Sequence, residues 1–88
     1  MGKTKLTKSY TPKHRGSRLK AIVASNIKKA RLGKNWQQKQ LAAAVKVTQA
    51  SISNIESGSR SPSLEMIEKI ARALEINPAS LLMSPELI

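Results

Sequence analysis

The chain has 88 residues, 16 Lys or Arg against five acids, a formal net charge of +11 and no cysteine. That length suits one domain with a small core and leaves no room for a separate sensor or catalytic domain. Disulfide frameworks and zinc fingers fall away together. With no Asp, and with its one His (His14) in a polar N-terminal stretch, the sequence offers neither a nucleophilic triad nor a carboxylate–metal site. No enzyme activity, cofactor, metal or small-molecule effector is therefore expected. No apolar run approaches a membrane span, and Ala21-Ile-Val-Ala24 is too short for a signal-peptide core, so a cytoplasmic protein is expected.

Residues 1–20 carry Lys3, Lys5, Lys8, Lys13, Arg15, Arg18 and Lys20, broken by Pro12 and Gly16 and without hydrophobic period. They read as a disordered basic arm, either an inert tail or a segment that follows phosphates or enters a narrow minor groove. A first helix is predicted from Arg18 or Val23 to Lys34, with Val23, Ile27, Ala30 and Leu32 as apolar positions. Asn35 ends it, since Asn tolerates the left-handed conformation. Trp36 follows as a wedge at the helix junction rather than a binding platform.

Leu41, Ala42 and Val45 mark a second helix; Ile52 and Ile55 mark a third after a break of three or four residues. The apolar residues Leu41, Val45, Val47, Ile52 and Ile55 fix the pair at a steep angle, with Ala42 small where they cross. Thr48 caps the third helix. With its isoleucines inward, that helix turns Gln49, Ala50, Ser53, Asn54 and Ser57 outward, a small polar face suited to a major groove. Gly58 closes it, and Ser59-Arg-Ser-Pro62 is a loop. Ser63 caps a fourth helix bearing Leu64, Ile67, Ile70, Ala71 and Leu74 on one face. Asn77-Pro78 opens a short fifth helix, with Leu81, Leu82, Leu87 and Ile88 as further apolar surface. The expected organisation is an arm over 1–20, an all-α five-helix domain over 21–84 and a tail over 85–88.

Charge is unevenly placed. Residues 1–55 hold 13 Lys or Arg and no acid, whereas residues 56–88 hold all five acids against three bases. A polyanionic partner on one side is implied. Two aromatic residues, Tyr10 and Trp36, cannot build a stacking platform for single strands. The arm also lacks the bulky apolar face that a membrane surface demands. Double-stranded DNA remains, and with it a nucleoid-associated location.

The segment Gln38–Ser57 resembles the helix-turn-helix of the phage repressor and Cro family, the Xre-type regulators. Gln38 stands at the first motif position and Ala42 at the fifth, with Leu41, Val45, Val47, Ile52 and Ile55 at the apolar ones. Ile27-Lys-Lys-Ala-Arg-Leu32, Trp36-Gln-Gln, Ile55-Glu-Ser-Gly58, Pro62-Ser and Ile70-Ala-Arg-Ala-Leu74 extend the likeness over roughly residues 23–83. Lys46 departs from the usual glycine of the turn, at a cost of about 1 kcal/mol in the left-handed region. Gln37 departs from the usual Ser or Thr cap, costing roughly 1 kcal/mol more.

The resemblance implies DNA base contacts from Gln49, Ala50, Ser53 and Asn54, with Gln49 bidentate to adenine and buttressed by Gln38. It implies backbone contacts from Gln37, Gln38, Lys39, Thr48, Ser57 and Arg60. It also implies a homodimer, which the fifth helix can supply. Glu56 closes the recognition helix, where negative charge opposes the macrodipole and repels phosphate. It must turn inward and pair, and Arg31 is the natural partner, as the resemblance also implies. The expected function is a sequence-specific transcriptional regulator, most simply a repressor or autoregulator. An antitoxin that binds a toxin and a non-specific architectural protein stand as alternatives.

Overall fold

Helical periodicity in the sequence becomes four α-helices and one 3-10 turn in the computed structural model, which describes residues 17–84. The elements are α1 (Ser17–Gly33), α2 (Gln38–Val45), α3 (Gln49–Glu56), α4 (Leu64–Leu74) and the turn Pro78–Leu82. The described residues are all-α. Most of the basic arm and the C-terminal tail lie outside them. Ser17–Lys20, expected as arm, form the first turn of α1. Nothing after Gly16 breaks a helix until Gly33, and once a helix is nucleated downstream, adding a further turn costs little.

The core is aliphatic. Val23 and Ile27 of α1, Leu41, Ala42 and Val45 of α2, Ile52 and Ile55 of α3, and Ile67, Ile70, Ala71 and Leu74 of α4 meet Leu81 of the turn. Two apolar positions predicted on these faces are instead in solvent. Leu32 is 52% exposed because Arg31 takes the inward place one turn beyond Ile27. Leu64 is 78% exposed because it lies in the first turn of α4, where a side chain points back past the end of the core.

The fifth element is a 3-10 turn of five residues rather than an α-helix. Asn77 caps it, accepting from Ala79 N–H at 2.9 Å, and Pro78 stands in its first turn. Two causes keep it short. Pro85 disfavours helix at the residue before it. Asn26 of α1 reaches across and donates its amide to the carbonyls of Leu81 and Met83, both at 2.9 Å, and more distantly to Ser80 at 3.4 Å. Those carbonyls are thereby held outward against α1, while Leu81 is driven into the core.

All four α-helices end with the same pair of bonds. A residue with positive φ donates back to the carbonyl three residues earlier, and its successor donates to the carbonyl five residues earlier. The residues concerned are Asn35 (φ 61), Lys46 (φ 59), Gly58 (φ 83) and Glu75 (φ 60). Around Lys46 the bonds are Lys46 N–H to Ala43 O at 3.2 Å and Val47 N–H to Ala42 O at 3.0 Å. At the three ends without glycine the following residue is apolar (Trp36, Val47 and Ile76), and each packs against the core. That contact offsets a left-handed strain of roughly 1 kcal/mol.

Gly58 suits its conformation, but Gly33 and Lys46 are each placed against preference. Gly33 lies within α1, where a Cβ would meet nothing within 4 Å, while Lys46 occupies a conformation that glycine adopts without strain. Gly33→Ala and Lys46→Gly are each expected to raise unfolding free energy by about 0.5 kcal/mol, read from urea denaturation. A loss in either would show that local strain is not what sets stability at these ends. Asn26→Ala is expected to cost about 1–2 kcal/mol and to speed amide exchange at residues 80–84 ahead of α2 and α3. Exchange speeded equally everywhere, or not at all, would count against the clamp.

Candidate nucleic-acid interface

The turn between α2 and α3 is three residues long: Lys46, Val47 and Thr48. Lys46 reverses the chain, Val47 packs on the core and Thr48 starts the next helix with extended backbone (φ −80, ψ 156). Thr48 Oγ1 accepts from Ser51 N–H at 3.1 Å and donates to Ser51 Oγ at 3.2 Å. Completely buried Ile52 and nearly buried Ile55 pin α3 from behind. The opposite face shows Gln49, Ala50, Ser53, Asn54 and Ser57, all exposed. The side-chain amides of Gln49 and Asn54 make no hydrogen bond to any described residue.

At the other end of α3, Glu56 turns inward with its side chain 3% exposed, against 8% for Arg31. Arg31 Nε donates to Glu56 Oε2 at 2.7 Å and Nη2 to Oε1 at 3.0 Å, a bidentate pair. The third donor, Nη1, goes to Trp36 O at 2.6 Å. The Trp36 ring is half-buried on the core, with Lys34 Nζ 5.2 Å from its centroid. No buried polar side-chain atom among the described residues is left without a partner.

Gln38 departs from expectation. Its Nε2 donates to Glu56 Oε1 at 3.1 Å, and it makes no bond to Gln49. A carboxylate is a stronger acceptor than a neutral amide, so Glu56 wins that donor. The second N–H of Gln38 stays available beside the start of α2. There Gln37 has no side-chain capping bond of its own; Gln40 supplies the compensation, its Oε1 accepting from Gln37 N–H at 2.7 Å. Gln40 sits three residues after the cap, the position at which Glu or Gln completes a capping box, so this signal was present in the sequence. The backbone N–H groups of Gln38 and Lys39 lie in the first turn, without helical acceptors and next to the exposed Lys39 side chain.

Arg60 does not extend freely from its loop. Its Nη1 donates to Ser51 Oγ at 3.3 Å, laying the guanidinium beside the first half of α3. The carbonyl of Asn54 gathers Ser59 N–H, Arg60 N–H and the hydroxyls of Ser57 and Ser59 within 3.0–3.2 Å. The loop after α3 is thereby tied to the helix it leaves. Ser51 was not singled out from the sequence, because a half-buried serine on the flank of a helix carries no pattern of its own.

Comparison with known proteins is consistent with this geometry. A helix-turn-helix family model matches residues 27–81. The chain is 37% identical over 65 residues to the control protein C.BamHI of Bacillus amyloliquefaciens, covering 73% of this chain and 80% of that protein. It superposes with TM-score 0.76 and 32% identity on a hypothetical transcription factor, NHTF, from Neisseria, over 78% of this chain and 79% of that one. It also superposes with TM-score 0.73 and 28% identity on the restriction-modification controller protein C.AhdI from Aeromonas hydrophila, over 77% and 99%.

Removing one member of the buried pair strands the other. Glu56→Ala is expected to cost about 3–5 kcal/mol of stability. The double substitution Arg31→Met with Glu56→Leu should recover much of that loss, since an apolar pair of similar volume avoids the desolvation cost. Thermal and urea unfolding of the double-mutant cycle measure both. Strictly additive losses would mean that the two side chains do not act as a unit.

Proposed function

This chain belongs to the helix-turn-helix family, and on that premise we propose that it is a sequence-specific regulator of transcription, reading duplex DNA in the major groove with α3. One observation carries the reading. The amides of Gln49 and Asn54 are held outward on a helix anchored by two isoleucines, and no described residue uses their hydrogen-bonding capacity. An amide in that state pairs with the N6 and N7 edge of adenine in bidentate fashion.

In this reading Gln49 and Asn54 contact base edges, Ala50 meets a thymine methyl and Ser53 lies between them. Gln37, Gln38, Lys39, Thr48, Ser57 and Arg60 contact the sugar–phosphate backbone and set the register of α3. The free N–H groups at the start of α2 suit a phosphate, as does the second N–H of Gln38. Arg31 and Glu56 are scaffold: they cancel the one negative charge on this face and do no proton chemistry.

A homodimer with two-fold symmetry would read inverted half-sites about one helical turn apart. Exposed Leu82 and Met83 of the C-terminal turn, with exposed Leu64 at the start of α4, supply apolar surface for such an interface. The similarity to control proteins favours control of a restriction–modification operon as the setting, with occupancy following protein concentration. An antitoxin role would instead bring a second small protein through purification.

Gln49→Ala is expected to weaken binding to the specific site by about 1–3 kcal/mol and to relax preference at one base pair. Equal, unaltered affinities for specific and random DNA would remove Gln49 from base reading. Footprinting on the DNA upstream of the gene should show paired protected half-sites; protection without symmetry or sequence preference would defeat the proposal itself.

A further inference from the structure

Beside the C-terminal end of α3 an open groove of about 480 Å³ separates that helix from α1. Lys20 and Lys28 of α1 stand along one wall and Ser57 and Gly58 along the other. The two lysines are eight residues apart, so they project from one face of α1 with Ala24 between them. Ala24 is 5% exposed and forms a low floor, which leaves the groove open between two cationic posts.

Neither lysine has an ion-pair partner among the described residues. The nearest acid, Glu56, lines the same groove, yet Arg31 takes both its oxygens and Gln38 shares one. No other acid occurs before residue 57 in the chain. The groove is therefore cationic with no internal anion to satisfy it. It also adjoins the interface directly, because Ser57 belongs both to its wall and to the exposed face of α3.

From this we infer that Lys20 and Lys28 form a fixed clamp for the sugar–phosphate backbone at the C-terminal edge of α3, outside the backbone contacts made by α2 and the α3 flanks. The inference rests on the proposed reading of α3 as the helix that enters the major groove. An eight-residue helix is about 12 Å long, no longer than the groove is wide. With α3 set across the groove, the surface just past its end lies against a wall of phosphates. The helical start of α1 gives Lys20 a defined position there. The clamp carries charge and no base-reading group, so it adds affinity without choosing sequence.

The test compares the full chain with a Lys20→Gln/Lys28→Gln double variant on a specific duplex and on a random duplex of equal length across a salt series. A Lys69→Gln/Arg72→Gln variant, which removes the same charge from α4, is the control for net charge. Each phosphate neutralised contributes about −0.9 to the slope of log K against log salt. The clamp variant should lose close to two such increments on both duplexes, with the specific-to-random ratio unchanged and the melting temperature preserved. An unaltered slope, an equal change in the α4 control, or a shift in base preference would each overturn the clamp. If the unsubstituted protein itself bound the two duplexes alike, the reading of α3 would fail instead, which separates the two conclusions.

Discussion

A single carboxylate organises the interface. Glu56 is the first acid in the chain and ends the helix that the charge distribution turns toward a polyanion. Left exposed it would repel phosphate and oppose the helix dipole. Turned inward, it receives α1 through Arg31 and α2 through Gln38, while Arg31 also holds the carbonyl of Trp36 in the α1–α2 link. Three helices and a connection thus meet on two oxygens. Burying such a pair gives little net stability, because desolvation offsets most of the attraction. What it gives is geometry, since the rotation of α3 against α1 and α2 is set where all the donors are satisfied at once.

The remaining packing is economical in a different way. With no Phe and one Trp, the core is filled by branched aliphatic side chains and alanine. Helix ends contribute to it directly. Trp36, Val47 and Ile76 each follow a left-handed residue and each drop onto the core, so the chain reversals serve as core positions. At the end of α3 the equivalent residue is Ser59, which stays outside and bonds the Asn54 carbonyl. That end alone uses glycine, and there the chain leaves the exposed face instead of returning to the interior. A small domain with little core to spare gains by making its turns hydrophobic wherever they do not border the interface.

On the proposed reading, affinity and specificity come from separate parts of the surface. Gln49 and Asn54 offer directional amides, which discriminate between base pairs. Lys39, Arg60, Lys20 and Lys28 offer charge, which attracts any duplex and weakens with salt. Cancelling Glu56 internally keeps the two from conflicting, since no negative group then interrupts the cationic rim around α3. The other acids among the described residues (Glu65, Glu68 and Glu75) fall on α4 and at its end, and Glu75 pairs with Lys34 of α1 at 3.5 Å.

Local rules were enough to place the helices, the caps at Thr48, Ser63 and Asn77, and the left-handed residues Asn35 and Lys46. Periodicity, capping and positive-φ preferences all act within a few residues, so they are written in adjacent positions. Charge placement was enough to demand that Glu56 face inward. Contacts that depend on distant arrivals were not written there. Asn26 clamps carbonyls 55 to 57 residues away, Gln38 gives its amide to Glu56 rather than Gln49, and Arg60 folds onto Ser51. Leu32 looked apolar and inward until Arg31 claimed the position facing Glu56, and the last element looked α-helical until α1 took its carbonyls. In each case the choice lay between acceptors or burial sites of similar local merit. Only the packed helices, by bringing one of them within bonding distance, decided it.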